Sequence, residues 1–257
     1  MGFVGQLAQR LPSQRVRTFC RDFIDTELRG FPRAAVKYRQ SQLSPSLDMV
    51  LSYYRASHPQ VRYLQIGAFD GVSGDPIYPL IEKHSLQGIL VEPQRDAFER
   101  LVANYARFGN SRFVFIHGAV GASDGTAVLY RVRPSETGPS WLPELASFNR
   151  DVILKHASVV PDIESLIESE EVKCITFKTL FETREIPRVD LLQIDAEGYD
   201  AEILRLFDVP SRKPAIIHFE HKHLALADHE QAIGTLVDAG YKFTLAGENT
   251  LAYLHTE

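Results

Sequence analysis

An apolar run that stops at closely spaced glycines is the feature that most constrains the fold of this chain. Residues 61–66 are mostly apolar, and Gly67 and Gly71 follow, separated by three residues. Asp75 and Pro76 come next, an acidic helix cap followed by a proline suited to the first position of a helix. This succession of strand, glycine turn and helix start is typical of the ligand-binding edge of an open α/β sheet.

Beyond this stretch the chain alternates between strand-like and helix-like segments. Such alternation predicts an α/β fold with a doubly wound, mostly parallel sheet. The expected strands are 61–66, 88–91, 112–116, 125–132, 172–177, 189–194, 214–219, 241–245 and 251–255. The expected helices are 77–84, 96–108, one that follows Gly198, and 229–239. The last two strands enclose Gly247 and predict a closing hairpin.

Residues 134–160 are the least regular part of this pattern. They contain Trp141, the only tryptophan of the chain, with prolines and a glycine close to it. Long irregular segments inside compact domains are often lids or binding loops. We therefore expect the segment to border a ligand, with Trp141 and Phe148 available to stack on a ring. The alternative role for Trp141 is to anchor the segment in its own core.

The N-terminal segment differs from the rest in pattern and charge. Residues 1–56 have apolar positions at helical spacing, which predicts a helical extension before a main domain at 57–257. Residues 1–45 carry eight basic and three acidic side chains, a net charge of +5. This basic segment could dock on an acidic partner, an anionic membrane surface or the acidic body of the chain. A solvated face on packed helices is the simpler interpretation.

Composition disfavours several classes of protein. The 257 residues are 44% hydrophobic, and the net charge of −5 argues against a dedicated nucleic-acid binder. No apolar stretch approaches the roughly 20 residues that a membrane-spanning helix needs, and the N-terminus does not resemble a signal peptide. Cys20 and Cys174 lack the spacing of a disulfide framework or a cysteine zinc site. We expect a cytoplasmic protein, and a homo-oligomer remains open.

Acidic residues follow three of the predicted strands. Asp70, Glu92 and Asp195 come after strands 61–66, 88–91 and 189–194. Because the carboxyl ends of parallel strands meet at one edge of the sheet, these acids are expected to converge on one ligand. Glu92 follows the glycine turn by about 20 residues, the spacing of an acid that accepts hydrogen bonds from ribose hydroxyls. The sequence therefore predicts a ligand that contains a nucleoside.

The glycine spacing narrows the class of ligand. Gly67, Gly71 and Gly74 form G-x-x-x-G-x-x-G, which is neither G-x-G-x-x-G nor G-x-x-x-x-G-K-[ST]. Those two motifs cradle a pyrophosphate or a triphosphate, so NAD and ATP are less favoured. S-adenosylmethionine carries no phosphate, and its ammonium and sulfonium groups are positive. The carboxylate of Asp70 could balance that charge.

Taken in order, these segments resemble the FkbM family of S-adenosylmethionine-dependent methyltransferases over roughly residues 60–257. The matching segments are QIGAFDG at 65–71, DP at 75–76, LVEP at 90–93, AV at 119–120, SF at 147–148, LQIDAEGYD at 192–200 and FEH at 219–221. The resemblance implies a Rossmann-like, seven-stranded methyltransferase sheet whose last strand is antiparallel. It also implies O-methylation of a hydroxyl on a sugar, a glycan precursor or a natural product.

The resemblance further implies roles for single residues. Gly67 and Gly71 would cradle the methionine part of the cofactor, and Glu92 would take the ribose hydroxyls. The backbone at 119–120 would lie by the adenine, and Asp195 near the methyl group. The full set of predicted cofactor-binding residues is Gln65, Gly67, Ala68, Asp70, Gly71, Asp75, Glu92, Pro93, Ala119, Val120 and Asp195.

Two positions depart from the family pattern. Gln65 stands where an acid is common, and Phe69 stands where an asparagine is common. The first change concerns how the methionine ammonium group is held, and Asp70 or Asp75 could compensate for it. Asp75 also has a purely structural interpretation as the cap of the helix that follows. Phe69 would reshape the wall of the pocket.

A hydroxyl acceptor needs a base or a metal, because its pKa lies far above 7. The predicted catalytic residues are Asp195, Glu220, His221 and His156, and His223 is a further candidate. Asp195 is the first choice, and capping of the next helix is an alternative role that is compatible with function. For Glu220 the alternative is a turn position, and for His156 a plain surface position.

A metal site is not expected from the sequence. His218, His221 and His223 invite such an interpretation, because imidazole and carboxylate are common ligands. Strand alternation, however, points His218 and Glu220 away from His221.

Two other functions remain open. A nicotinamide-dependent oxidoreductase could use a related sheet, although the missing G-x-G-x-x-G motif counts against it. A catalytically silent family member could bind a nucleoside and dock on a partner through its basic N-terminal segment.

Overall fold

The computed structural model describes residues 45–109, 111–135, 138–184, 186 and 188–254. The predicted helical segment up to residue 44 lies outside the described residues, and with it the basic stretch considered as a docking element. Among the described residues, no helix is both long enough and apolar enough to cross a membrane.

The secondary structure alternates between strands and helices. The strands are β1 (Arg62–Ile66), β2 (Gln87–Glu92), β3 (Phe113–His117), β4 (Ala119–Val120), β5 (Gly125–Val132), β6 (Ala146–Ser147), β7 (Ile167–Ile175), β8 (Leu191–Ile194), β9 (Ile216–Glu220), β10 (Lys242–Ala246) and β11 (Asn249–Tyr253). The helices are α1 (Leu47–Ser57), α2 (Ile81–His84), α3 (Arg95–Tyr105), α4 (Arg150–Leu154), α5 (Ile163–Leu166), α6 (Phe177–Arg184), α7 (Asp200–Phe207), α8 (Val209–Arg212) and α9 (Leu226–Asp238).

Seven strands form the central sheet, in the order β10–β11–β9–β8–β1–β2–β3. The pairs between β9 and β3 are all parallel, whereas β11 runs antiparallel to both of its neighbours. The predicted fold class, a doubly wound sheet of seven strands with an antiparallel last strand, is confirmed. The predicted closing hairpin is the pair β10–β11.

Helices cover both faces of this sheet. Side chains along a strand alternate between the two faces, so each face needs its own covering layer. On one face Tyr63 of β1 packs in a core with Leu101 and Tyr105 of α3. On the other face Leu64 packs in a core with Phe207 of α7. Buried strands with apolar residues on both faces are typical of parallel sheets.

Helix α1 belongs to the first of these two layers. It begins after Ser46, whose hydroxyl oxygen accepts a hydrogen bond from the backbone N–H of Met49 at 3.2 Å. Leu47, Leu51 and Tyr54 of this helix are buried in the same core as β1. The end of the proposed N-terminal extension thus packs against the sheet, and the domain boundary at residues 56–57 stays a prediction.

A second sheet of four strands, in the order β4–β7–β5–β6, is inserted between β3 and β8. A single residue, Gly118, separates β3 from β4. Strands β5 and β7 pair antiparallel along the whole of β5. The added strand expected at 125–132 is therefore present, and its partner β7 begins earlier than the sequence suggested because it pairs with β5 as far as Ile167.

Two local expectations differ from the structure. The segment expected as a helix at 77–84 is a 3₁₀ turn (Tyr78–Leu80) followed by the short α2 (Ile81–His84). The strand expected at 172–177 ends at Ile175, and Phe177 begins α6. The Thr176 hydroxyl oxygen accepts the backbone N–H of Thr179 at 3.1 Å, which favours the helix start.

The described part of the irregular segment, residues 134–135 and 138–160, is ordered and packed. It contains two 3₁₀ turns, β6 and α4, and it packs over a small core of its own. The buried residues of that core are Val132, Leu142, Leu145, Ile153, Val160, Ile163 and Leu166. The segment therefore forms a packed cap beside the edge of the central sheet.

Candidate active site

A cavity of about 580 Å³ lies beyond the carboxyl ends of β1, β2, β8 and β9. Its volume is within the range of small-molecule sites. Gln65, Glu92 and Glu220 reach it from their strands, and Trp141 and Phe148 border it from the packed cap. The ligand-binding edge that the sequence suggested thus contains a cavity.

Acidic side chains dominate the charged groups of the cavity wall. Seven carboxyl groups line it, those of Asp75, Glu92, Glu144, Asp195, Glu197, Glu220 and Glu248. Among the described lining residues, Lys222 alone adds a lysine or arginine charge, and its Nζ lies 3.1 Å from Oε2 of Glu248. Clefts lined by one sign of charge attract ligands of the opposite sign. The cavity therefore favours a cationic ligand over an anionic one.

The turn after β1 is fixed to the end of β2. The backbone N–H groups of Gly67 and Ala68 donate to the Val91 carbonyl at 3.0 and 3.1 Å. The N–H of Phe69 donates to Oε2 of Glu92 at 2.7 Å. Phe69 has a φ of 45°, an uncommon conformation for a residue with a side chain. The bond to the Glu92 carboxylate holds Phe69 in this strained conformation.

Glu92 is a buried carboxylate at the centre of this wall. Its Oε1 accepts the backbone N–H of Gln94 at 2.7 Å, and its Oε2 accepts that of Phe69. Burial nevertheless raises the pKa of Glu92 to about 7. Each carboxylate oxygen has a further lone pair, and the side chain lines the cavity. Glu92 can therefore accept hydrogen bonds from ligand hydroxyls.

The backbone at 118–120 continues the wall next to Glu92. The N–H of Gly118 donates to the Glu92 carbonyl at 3.0 Å, and Ala119 and Val120 line the cavity. Pro93 lines it as well. Peptide groups and small apolar side chains in this position offer a flat surface to a ring of the ligand.

Gln65 and Asp75 form a buried pair at the end of β1. The Gln65 Nε2 donates to Oδ2 of Asp75 at 2.8 Å, and the Asp75 Oδ1 accepts the N–H groups of Ile77 and Tyr78. The Oε1 of Gln65 is buried without a hydrogen-bond partner. Burial raises the pKa of Asp75 to about 6. The pair offers one free acceptor beside a carboxylate, which suits an ammonium group. Asp75 also caps the following turn, so its structural and functional roles coexist.

Three side chains meet beyond the ends of β8 and β9. Nε2 of His223 lies 3.1 Å from Oε2 of Glu197 and 3.7 Å from Oε2 of Glu220. Both of these carboxylate oxygens are shielded from solvent and lack a hydrogen-bond partner. Glu197 has a left-handed φ of 47°, and its carbonyl accepts the hydroxyl of Ser147 at 2.8 Å. The inserted sheet, through Ser147 of β6, thus helps to hold Glu197 in place.

The acids around this cluster raise each other's pKa. Burial is the main cause for Glu197 and Glu220, and the charge of Asp195 adds to it in both cases. Burial also raises the pKa of Asp200 to about 8, although Asp200 accepts the N–H groups of Ala196 and Gly198 at the start of α7. Asp195 itself is open to the cavity yet enclosed by protein, and its pKa is raised as well.

Aromatic rings line the cavity beside the cluster of Glu197, Glu220 and His223. The His156 ring lies 5.3 Å from the Trp141 ring and 5.3 Å from the His223 ring, between centroids. Phe148 packs edge-to-face on Tyr199 at 5.5 Å. The Nε2 of His156 is buried without a partner, and burial with nearby lysines lowers the pKa of this imidazole. His156 is therefore a neutral cavity residue at pH 7, and its surface interpretation does not hold.

Asp70 and Gly71 do not line the cavity. The Asp70 carboxylate accepts the N–H groups of Val72 and Ser73 and the Ser73 hydroxyl, so it closes its own turn. A Cβ on Gly71 would lie 2.4 Å from Leu101 and 2.5 Å from Tyr105. The glycine therefore allows α3 to pack closely on the turn. The expected roles of Asp70 in balancing cofactor charge and of Gly71 in cradling methionine are not supported by this geometry.

His221 also lies outside the cavity wall. Its Nδ1 is 3.0 Å from the Thr250 hydroxyl, and its ring stacks on His229 at 4.6 Å. His218 is buried within the sheet, with Nδ1 2.8 Å from the Gln193 side-chain oxygen. Alternation along the chain places Glu220 toward the cavity and His221 away from it.

The sequence-based residue set lacked Glu197 and Glu144, and it considered His223 only as one of several candidates for a base or a metal ligand. Glu197 lies inside the recognised segment at 192–200, but its direction depends on a left-handed turn that no periodicity reveals. Glu144 lies in the irregular segment, where spacing gives no orientation. His223 follows the end of β9 by three residues, in a turn that brings it back onto Glu220.

Comparisons with known proteins identify the domain. A family model described as the Methyltransferase FkbM domain matches residues 65–243. The methyltransferase FkbM from Methylobacillus flagellatus is 12% identical with a TM-score of 0.49, over 79% of this chain and 47% of that one. This chain thus spans about half the length of that protein. The N-terminal domain of human METTL16 is 9% identical with a TM-score of 0.45, over 83% and 72% of the two chains.

A further solved structure is the precorrin-6y C5,15-methyltransferase of Geobacter metallireducens, 11% identical with a TM-score of 0.40, over 80% and 85% of the two chains. A search of curated proteins gave no significant match. The family match covers more than half of the chain, and it includes Gln65, Glu92 and the acidic residues that follow β8 and β9. This chain belongs to the FkbM methyltransferase family.

Proposed function

We propose that this chain is an S-adenosylmethionine-dependent methyltransferase that methylates a hydroxyl group of a small acceptor, such as a sugar, a glycan precursor or a natural product. The observation that carries the proposal is the charge of the cavity. Seven carboxyl groups and one lysine line it. A ligand with an ammonium group and a sulfonium suits such a wall, whereas a ligand with phosphate groups does not.

The residues at both ends of the cavity fit S-adenosylmethionine. The unpartnered Oε1 of Gln65 and the carboxylate of Asp75 would hold the ammonium group. The two oxygens of Glu92 would accept the ribose hydroxyls, and the backbone at 118–120 would border the adenine. An acid is therefore not needed at position 65, because the Gln65 amide nitrogen donates to Asp75 and its oxygen stays free as an acceptor.

When bound, S-adenosylmethionine supplies an electrophilic methyl group on its sulfonium. The tasks left to the chain are to align the acceptor and to take its proton. Asp195 is the proposed proton acceptor, because it is open to the cavity and its raised pKa makes its carboxylate a stronger base than an ordinary aspartate. Glu220 and the neutral His156 line the same part of the wall.

The acceptor is proposed to lie between the packed cap and the acidic strand ends. Trp141 and Phe148 line the cavity there and offer faces on which a sugar or an aromatic ring can stack. Asp195 and Glu220 are polar groups of the same cavity wall. This combination of a stacking wall and hydrogen-bond acceptors suits a ligand that carries several hydroxyl groups.

The primary test is calorimetry with S-adenosylhomocysteine, for which we expect one binding site per chain. A fluorescence titration with NADH tests the oxidoreductase alternative, for which the acidic wall predicts no binding. Absence of S-adenosylhomocysteine binding to the wild-type chain would contradict the proposal.

The acceptor class needs a second test. A panel of hydroxylated compounds and of matched amines is screened for release of S-adenosylhomocysteine. Turnover with hydroxyl compounds supports O-methylation, and turnover with amines alone contradicts it. Cofactor binding without turnover of any acceptor would favour the catalytically silent alternative.

A further inference from the structure

We propose that Glu197, Glu220 and His223 bind one divalent transition-metal cation at the acceptor end of the cavity. This inference rests on the proposed function, because the cation would hold the acceptor hydroxyl. The sequence had argued against a metal from the directions of His218 and His221. The structure keeps those two apart, but it brings His223 together with two acids.

The distances between the candidate ligand atoms allow all three residues to bind one shared ion. One ligand atom from each of the three residues can be chosen so that all lie within 4.8 Å of one another. Atoms that bind one ion at about 2.0–2.2 Å lie no more than about 4.4 Å apart. The observed separations from Nε2 of His223, 3.1 Å to Glu197 and 3.7 Å to Glu220, are already within that limit. Small side-chain movements would complete the site.

The carboxylate oxygens give a second, independent indication of a bound cation. Oε2 of Glu197 and Oε2 of Glu220 are both shielded from solvent, and neither has a hydrogen-bond partner. The side chain of His223 between them is only 7% exposed. Buried charges are normally paired or coordinate a metal, since an unpaired buried carboxylate is costly. Beyond its contact with His223, each of these oxygens can take a further ligand, and one cation bound among the three groups would satisfy both oxygens.

The donor set indicates the class of metal. Two carboxylates and one imidazole combine ligands that suit Mn²⁺, Fe²⁺ and Zn²⁺, and three protein ligands leave coordination positions open. An acceptor hydroxyl could fill one of them, next to Trp141 and Phe148 on the wall. A metal-bound hydroxyl loses its proton more readily. The O–H bond would break, the proton would pass to the Asp195 carboxylate, and the electron pair would stay on the metal-bound oxygen.

The test is a titration of the full chain with Mn²⁺, followed by the electron paramagnetic resonance signal of the free ion. It is done at about pH 8, since protons compete with metals for their ligands. We expect one Mn²⁺ per chain in the wild type. Glu197→Gln, Glu220→Gln and His223→Gln should each weaken binding by at least about tenfold. Zn²⁺ should displace the bound Mn²⁺.

Two matched variants serve as controls for Mn²⁺ binding. His221→Gln changes a histidine two residues away that points out of the cavity, and Glu144→Gln removes an acid from another part of the wall. Neither should change Mn²⁺ affinity by more than about twofold, because neither residue is in the donor set. Equal loss in the controls, or binding that persists in all three ligand variants, would overturn the assignment.

Calorimetry with S-adenosylhomocysteine on the same samples separates this proposal from the proposed function. Retained cofactor binding in the three ligand variants shows that they fold. A wild-type chain that binds S-adenosylhomocysteine but not Mn²⁺ or Zn²⁺ overturns the metal site and leaves the methyltransferase proposal standing. In that case the acidic cluster would serve a cationic acceptor, which the amine panel would reveal.

Discussion

The backbone oxygen of Asp195 occupies the space where a side chain on Gly67 would begin. A Cβ built on Gly67 would lie 1.7 Å from that oxygen, and Gly67 has a φ of 76°. The N–H of Asp195 in turn donates to the Ile66 carbonyl at 2.9 Å. The glycine turn after β1 and the acidic turn after β8 are therefore in direct backbone contact.

This contact predicts that Gly67→Ala is severely destabilising. Backbone atoms cannot move away as a flexible side chain can, and a left-handed φ adds strain. We expect a loss of more than about 4 kcal/mol in the free energy of unfolding, measured by urea denaturation. Gly74→Ala is the matched control, because Gly74 also has a positive φ but open space around its Cβ position. It should cost about 1–2 kcal/mol. Similar losses in both variants would contradict the backbone clash.

Glu92→Gln should weaken binding of S-adenosylhomocysteine by about 10- to 100-fold, the effect of losing charged hydrogen bonds of about 1.5–3 kcal/mol.

The raised pKa of Glu92, about 7, adds a pH dependence to this binding. The carboxylate is the better acceptor for ribose hydroxyls, so wild-type affinity should fall as the pH drops from 8 to 6. Calorimetry at several pH values checks both effects. Glu99→Gln, an exposed position on α3, is the control. A pH dependence that persists in Glu92→Gln would assign it to another group.

Gln65→Leu should weaken binding of S-adenosylhomocysteine but not of 5′-methylthioadenosine. The first ligand carries the ammonium group that Gln65 and Asp75 are proposed to hold, and the second lacks it. A loss of about tenfold for the first ligand corresponds to one hydrogen bond to a charged group. Glu92→Gln should weaken both ligands, since both contain the ribose. Equal effects of Gln65→Leu on the two ligands would contradict the placement of the ammonium group.

The ligand-free protein should lose stability as the pH rises from about 6 to 8.5. Burial raises the pKa of Asp75 to about 6, of Glu92 to about 7 and of Asp200 to about 8. Between the ordinary and the raised values the folded chain holds protons that the unfolded chain has released. Their stabilising effect is complete below about pH 4, and it disappears as the pH passes the raised values.

Thermal unfolding at pH 6, 7 and 8.5 measures this loss, and Asp200→Asn should flatten it. The asparagine keeps an oxygen that can accept the N–H groups at the start of α7. Burial lowers the pKa of His218, His221 and His223 to about 4 in the folded chain, whereas unfolded imidazoles titrate near pH 6.5. Their contribution to stability therefore rises between pH 6 and about 7 and opposes the effect of the acids, so the loss should be clearest between pH 7 and 8.5. A melting temperature that is constant or that rises over this pH range would contradict the raised values.

Much of the central sheet was predictable, because its strands are apolar runs that end at glycines and acids. The segments around Gly67, Glu92 and Asp195 predicted the edge of the sheet at which the cavity lies, but not the order of the strands. The start of α6 could not be read in the same way, since Ile175 and Phe177 continue an apolar alternation across a strand end. The packed cap was also missed as ordered structure, because its elements are only two to five residues long.

The direction of side chains in the turns also could not be predicted from the sequence. Asp70 is next to the glycine turn and acidic, yet its carboxylate folds back on Ser73. Glu197 is two residues from Asp195, yet a left-handed backbone turns it toward His223. Periodicity fixes direction only within regular elements. Residues in the turns that carry the site therefore need coordinates before they can be assigned.

The insertion between β3 and β8 has a consequence for how such a chain can diversify. It leaves the central sheet after Gly118 and returns before β8, and it supplies Trp141 and Phe148 to the cavity wall. Ser147 of the same insertion supports the wall by its hydrogen bond to the Glu197 carbonyl. The other side, from Gln65 to Glu92, comes from the sheet itself. The residues proposed to hold the acceptor and most of those proposed to hold the methyl donor therefore lie in separate stretches of sequence. Exchange of the residues after β4 between relatives is therefore a modular route to new acceptors, because it would keep Ala119, Val120 and the sheet residues proposed to hold the methyl donor.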